Sequence, residues 1–143
     1  MKASALAISA VAAALLMTVA HARDTRLKLP IKDAMETAEA KSRLGTEVKF
    51  VFGEAPKNAK TFGTYTSNKK TNFANKSDKE GCEWAFLSAM LALKERAQAE
   101  GGNAVINIQS YYKKNEFTST TEYECAAGAF VGGVALRGTV AKL

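Results

Sequence analysis

The stretch SDKEGCEWAFLSAMLALKERAQAEGGNAVINIQ, residues 77–109, changes its hydrophobic period midway, and that change decides the fold class. Ser77-x-x-Glu80 is a capping-box pattern, in which a serine side chain accepts from a first-turn backbone N–H. It predicts a helix from about Asp78 to about Glu100. Between Cys82 and Leu93 only Glu83 and Ser88 are polar, so this helix must be buried on most sides. Trp84, Phe86, Leu87, Met90, Leu91 and Leu93 are the expected core. Residues 94–100 turn polar, and Gly101-Gly102 provide a stop. Beyond them the period falls to two, with Ala104, Ile106 and Ile108 alternating with Val105, Asn107 and Gln109, the mark of a strand with one apolar face.

Moving toward the C-terminus, Ser119–Ala127 repeats the alternation, with Tyr123, Cys125 and Ala127 on one face and Glu122 and Glu124 on the other. Val134, Leu136 and Val140 alternate with Arg137 and Thr139 in a last strand. Gly132-Gly133 mark the preceding turn, and Gly138 marks a bulge or a close backbone approach. Toward the N-terminus, Pro30 opens a helix carrying Ile31, Ala34, Met35 and Ala38 at helical spacing, with Gly45 as its stop. Thr46–Phe52 and Thr61–Thr66 read as strands.

The expected architecture is therefore α+β, two helices packed on one face of a mostly antiparallel sheet of about five strands, in the order α-β-β-α-β-β-β. The opposite face presents Asn107, Gln109, Tyr111, Glu122, Glu124, Arg137 and Thr139. That face is either simply wet or a partner-binding surface, since an antiparallel sheet can turn one side to water.

Residues 54–80 are the least regular part, a Lys-rich loop with Lys57, Lys60, Lys69, Lys70, Lys76 and Lys79 around Phe62, Tyr65 and Phe73. Basic residues interleaved with aromatics suit an anionic partner, while the plainer reading is a solvated loop whose aromatics pack inward. If the chain binds polyanions, this is the expected place.

Residues 1–22 read as a signal peptide. Met1-Lys2 is a short positive start, residues 3–20 are uncharged and rich in Ala, Leu and Val, and Ala20-His21-Ala22 is a small-x-small cleavage site. Cutting after Ala22 removes the chain's only histidine, and with it imidazole-based nucleophilic or zinc chemistry in residues 23–143. The loss of Lys2 takes the formal net charge from +6 to +5, still favouring anionic partners. No cysteine follows the hydrophobic run, so no stable membrane anchor is expected after cleavage. The two cysteines, Cys82 and Cys125, form an even pair suited to one structural disulfide in an exported protein.

The segment Lys94-x-Arg96-Ala97-x-x-x-Gly101-Gly102-Asn103-Ala104-Val105-x-x-Ile108, with the terminal Gly138-Thr139-Val140-Ala141, resembles the helix, glycine-asparagine turn and closing strand of the YbjQ and RcsF-like small α/β families. The likeness covers roughly the last 50 residues. It implies an envelope interaction module, stress sensing included, rather than an enzyme. The chain departs from the pattern in having a single cysteine pair, no lipid-accepting cysteine, and Gly102 in place of the usual alanine. Small exported relatives of this kind carry an excinuclease-ATPase label, yet no Gly-x-x-x-x-Gly-Lys-Ser/Thr loop occurs in this chain.

Other chemistry lacks parts. Glu122 and Glu124 lie about 7 Å apart along one strand face, with nothing in the sequence to raise a carboxyl pKa or to complete a calcium site. No catalytic residue, metal or cofactor is expected. The sequence points to a periplasmic or secreted binding module for an envelope protein or an anionic surface component, with no nucleotide partner and nucleic acid disfavoured by the compartment. Two alternatives stand beside it: a small-ligand protein or hydrolase with a pocket invisible in sequence, and a secreted or surface-exposed host-interaction factor.

Overall fold

The computed structural model describes residues 23–143, along which run β1 (Thr25–Pro30), α1 (Ile31–Glu36), α2 (Ala38–Leu44), β2 (Lys49–Phe52), β3 (Lys60–Asn72), α3 (Asp78–Ala99), β4 (Ala104–Tyr112), β5 (Asn115–Phe117), β6 (Glu122–Ala127) and β7 (Val131–Lys142). The hydrophobic run at 3–20 and the cleavage position after Ala22 lie outside the described residues. The class is α+β with a mostly antiparallel sheet, as the change of period predicts. The finer expectation needs correction, because the described residues contain seven strands and three helices and a strand comes first.

The first helix is two. Thr37 takes an extended conformation, φ −60° and ψ 148°, and its hydroxyl accepts the Ala40 N–H at 3.1 Å, so it ends α1 and caps α2. Gly45, at φ +61°, closes α2 with its N–H on the Lys41 carbonyl. Helix α3 matches its sequence signal closely, with the Ser77 hydroxyl accepting from Glu80 N at 3.1 Å. Phe86, Leu87, Met90 and Leu93 are buried, whereas Trp84 and Leu91 sit only partly buried at the core margin.

Strand β7 organises the sheet. Its whole length pairs with β3, from Asn72 opposite Val131 to Lys60 opposite Lys142. Strands β4 and β6 therefore share its other edge, β4 along Leu136–Ala141 and β6 at Gly133. β6 carries β1 beyond it, and β4 carries β2 in the one parallel pairing among the described strands. Gly138 of β7 leaves room for side chains of the neighbouring β4, since a Cβ there would lie 2.5 Å from Val105 Cγ1 and 3.3 Å from Ile108 Cγ1. The Cys82–Cys125 disulfide, with Cα atoms 5.9 Å apart, ties the first turns of α3 to β6 inside this core.

A bulge in β4 reverses the expected faces. The β4–β7 register breaks between Ile106 and Gln109, where Asn107 adopts φ +48° and its N–H bonds to the Glu54 carbonyl at 2.7 Å. Val105 and Ile108 consequently join the helix-side core. Ala104 and Ile106 instead form a small second cluster with Ala141, beneath Val51 and Ala59. At this end the outer face is neither polar nor wet.

Candidate functional site

The six lysines singled out by sequence do not converge. Lys57 is exposed ahead of β3, and Lys60 opens β3 with its ammonium 5.6 Å from the Phe62 ring centre. Lys69 and Lys70 are exposed neighbours on the same strand, so they leave it on opposite faces. Lys76 turns back to donate to the Asn72 carbonyl at 2.8 Å. Lys79 belongs to α3 and lies 3.6 Å from carboxylate oxygens of both Asp33 and Glu83. The strand expected at Thr61–Thr66 is the first half of β3, and it runs on through the lysine-rich residues to Asn72, because β7 supplies main-chain partners that no local signal announces there.

What remains is a basic ribbon along one strand. Among the described residues no carboxylate lies within 4 Å of the ammonium groups of Lys57, Lys60, Lys69, Lys70 or Lys76, while Lys79 has two and Lys94 and Lys113 have one each. Lys69 borders a groove of about 400 Å³ between β3 and α3, together with Tyr65, Ser67, Leu93 and Arg96. The Arg96 guanidinium stacks 4.0 Å above the Tyr65 ring centre and pairs with Glu100 at 3.1 Å, and the Tyr65 hydroxyl donates to the same carboxylate. Lys70 borders the other face, beside Tyr112, Val131 and Gly133.

The expected polar sheet face is split. Asn107, Gln109, Arg137 and Thr139 do meet, joined by Thr64 from β3 and Glu116 from β5, around a hollow of about 300 Å³. Its groups largely satisfy one another. Thr118 donates to Gln109 Oε1 at 2.7 Å, the Thr64 and Thr139 hydroxyls are 2.8 Å apart, and Arg137 reaches Glu116 at 3.3 Å while lying over the Tyr111 ring. Glu122 and Glu124 do not line this hollow. Glu124 instead pairs with Arg26 of β1 at 3.3 Å, and Arg26 stacks 4.1 Å from the Tyr112 ring centre as the β4–β5 hairpin curls over β1.

A further groove, of about 230 Å³, runs between α2 and α3 with Trp84 and Leu87 on its wall and Glu39, Glu80 and Glu83 around it, Lys79 offsetting part of their charge through its pair with Glu83. Sequence periodicity assigns Trp84 to the core, and only the break at Thr37 leaves its flank open. With three carboxylates against the one ammonium of Lys79, the groove keeps an acidic balance opposite in sign to the β3 ribbon. The same negative field acts on Tyr123, whose phenol is pushed well above its usual range by burial first and by Glu83 and Asp33 second. Among the described residues no group of three or more Cys, Asp or Glu side chains could hold a metal ion. Comparisons with protein-family models, with curated proteins and with solved structures find no match for this chain.

Proposed function

We propose that this protein is a non-catalytic, exported binding module whose β3 ribbon takes an anionic partner of the cell envelope. The observation that carries the reading is that Lys60, Lys69 and Lys70 stand exposed on one hydrogen-bonded strand, at its start and on both faces of its second half, without carboxylate partners among the described residues. Lysines that merely solvate a surface gain from nearby acidic groups, as Lys79 does. Charges held on a strand backbone keep their spacing, which lets them match a partner and speeds encounter with it.

Export is part of the proposal. A cut after Ala22 leaves Arg23, whose guanidinium pairs with Asp78 at the start of α3 and whose pKa is raised by that partner, two residues ahead of β1. A buried disulfide suits an oxidising compartment, and among the described residues no helix is long and apolar enough to cross a membrane. A periplasmic or secreted location and kinship with the YbjQ and RcsF-like families belong to the same proposal. The absence of histidine from residues 23–143 favours binding over hydrolysis.

The test is an NMR titration of the oxidised, isotope-labelled protein with a heparin octasaccharide and with phosphatidylglycerol vesicles. Amide shifts centred on Lys60, Lys69 and Lys70 that shrink as salt rises from 50 to 300 mM are expected from screening. Shifts confined to the Asn107–Arg137 hollow or to the Trp84 groove would sink the β3 assignment.

A further inference from the structure

We infer that the free edge of β3 is a docking site for an extended acidic polypeptide segment, which joins the sheet as an additional strand. The inference rests on the anionic-partner reading and names both the partner, a polypeptide, and the contact, its main chain. Three independent observations meet at this edge.

The first is backbone valence. Every residue of β3 but Phe62, which bulges between Thr61 and Gly63, has a partner on β7, and among the described residues no strand pairs with the other side. An edge strand directs the N–H and C=O groups of every second residue outward, a template for another extended chain. At about 3.3 Å per residue, this edge is long enough for a peptide of ten residues.

The second is the groove beside that edge. Residues Tyr65–Lys69 form one wall, and Ala92, Leu93 and Arg96 of α3 form the other, leaving about 400 Å³. Ser67 lines it, 6% exposed, and its hydroxyl is the one buried side-chain polar atom among the described residues with no hydrogen-bond partner. Alternate side chains of an added strand would enter this groove while its main chain bonded the edge, so that backbone supplies affinity and the groove supplies selection.

The third is charge. Lys69 flanks the groove beside Arg96, whose charge is shared with Glu100, while Lys70 projects from the opposite face of the strand and Lys60 stands at its far end, so the edge carries lysines on both faces. Lysines on an edge strand deter pairing with neutral or basic edges, and with a second copy that carries the same lysines. An acidic strand turns the same deterrent into attraction, so a single feature excludes wrong partners and favours the right one.

The probe is a capped ten-residue peptide alternating threonine and glutamate, used with two versions N-methylated at every second amide, one in each phase, and with a heparin octasaccharide. Because only one phase faces β3, N-methylation in that phase should weaken binding to the oxidised protein by at least about tenfold, while the other phase binds as the parent does. Saturation should shift Tyr65–Lys70 and Ala92–Arg96 together and slow amide exchange along β3. The double variant Lys69→Glu/Lys70→Glu should bind at least about tenfold more weakly with its melting temperature unchanged. If that variant unfolds, the N-methyl pair alone decides. Equal binding by both N-methylated peptides, or heparin shifts without peptide binding at 2 mM, would overturn strand addition and leave the anionic reading standing. Silence toward both probes overturns the two together. Shifts of β3 that follow protein concentration alone would assign the edge to a second copy, and the inference fails.

Discussion

Tyr123 shows how one side chain couples packing to proton binding. It is 2% exposed, its ring centre lies 4.5 Å from that of Phe86, and burial together with the nearby Glu83 and Asp33 raises its phenol pKa. In the unfolded chain the phenol titrates near its ordinary value of about 10, so above that pH the unfolded state binds fewer protons than the folded one. Stability contributed by the neutral, buried phenol is thus fully present below pH 10 and is lost as pH rises beyond it. The expected slope from this one group is about 1.4 kcal/mol per pH unit. Urea denaturation at pH 8, 9.5 and 10.5 should show Tyr123→Phe losing less stability than the parent protein across that range. Parallel losses would mean that the ring titrates as an exposed phenol. Tyr123 and Cys125 share a face in the sequence as in the structure, because strand alternation is a property of the local backbone. Asn107 is the counter-example, since its positive φ reverses the alternation and nothing in Ile-Asn-Ile distinguishes a bulge from a regular strand.

At the scale of elements, α3 is legible because its determinants are local. The cap, the apolar run and the glycine stop all lie within residues 77–102. Ser77→Ala should cost about 1 kcal/mol, read as a lower urea midpoint at unchanged slope, while Ser77→Asp should restore it. An unaffected Ser77→Ala midpoint would show that the disulfide in the next turn holds the helix start without the cap. Strand β1 is the contrasting case. Thr25–Pro30 alternates cleanly, with Leu27 and Leu29 turned to the core and Arg26 and Lys28 outward. Its partner, β6, lies about a hundred residues away, with Arg26 opposite Ala126, and a six-residue alternation ahead of a proline is weak evidence by itself. The second half of β3 is hidden for the same reason: Thr61–Thr66 reads as a strand by itself, whereas the polar, lysine-bearing Ser67–Asn72 becomes one only when β7 completes its hydrogen bonds.

The whole molecule is closed by the Cys82–Cys125 bridge, which spans 43 positions and joins the helix layer to the sheet. Removing a cross-link over a loop of that size is expected to cost about 4 kcal/mol through the entropy of the unfolded chain. Denaturation with and without reductant should show that difference. A loss below about 1 kcal/mol would mean that the reduced chain remains constrained by other structure. Charge is also arranged at this scale. The β3 ribbon and the Trp84 groove put opposite signs on two sides of α3, so an acidic partner is steered to one and repelled by the other.

The sequence by itself determined the α+β class, the long buried helix with its cap and stop, the cysteine pairing and the basic character of residues 57–79, because each rests on local periodicity, capping chemistry or simple counting. Only the tertiary structure decided that β7 lies between β3 on one edge and β4 and β6 on the other, that the β4 bulge covers part of the outer face, and that the lysines of β3 line an edge without a strand partner among the described residues. Strand partners, register and the side left without a partner arise from contacts between residues far apart in the chain, and a period of two is the same whichever strand lies alongside.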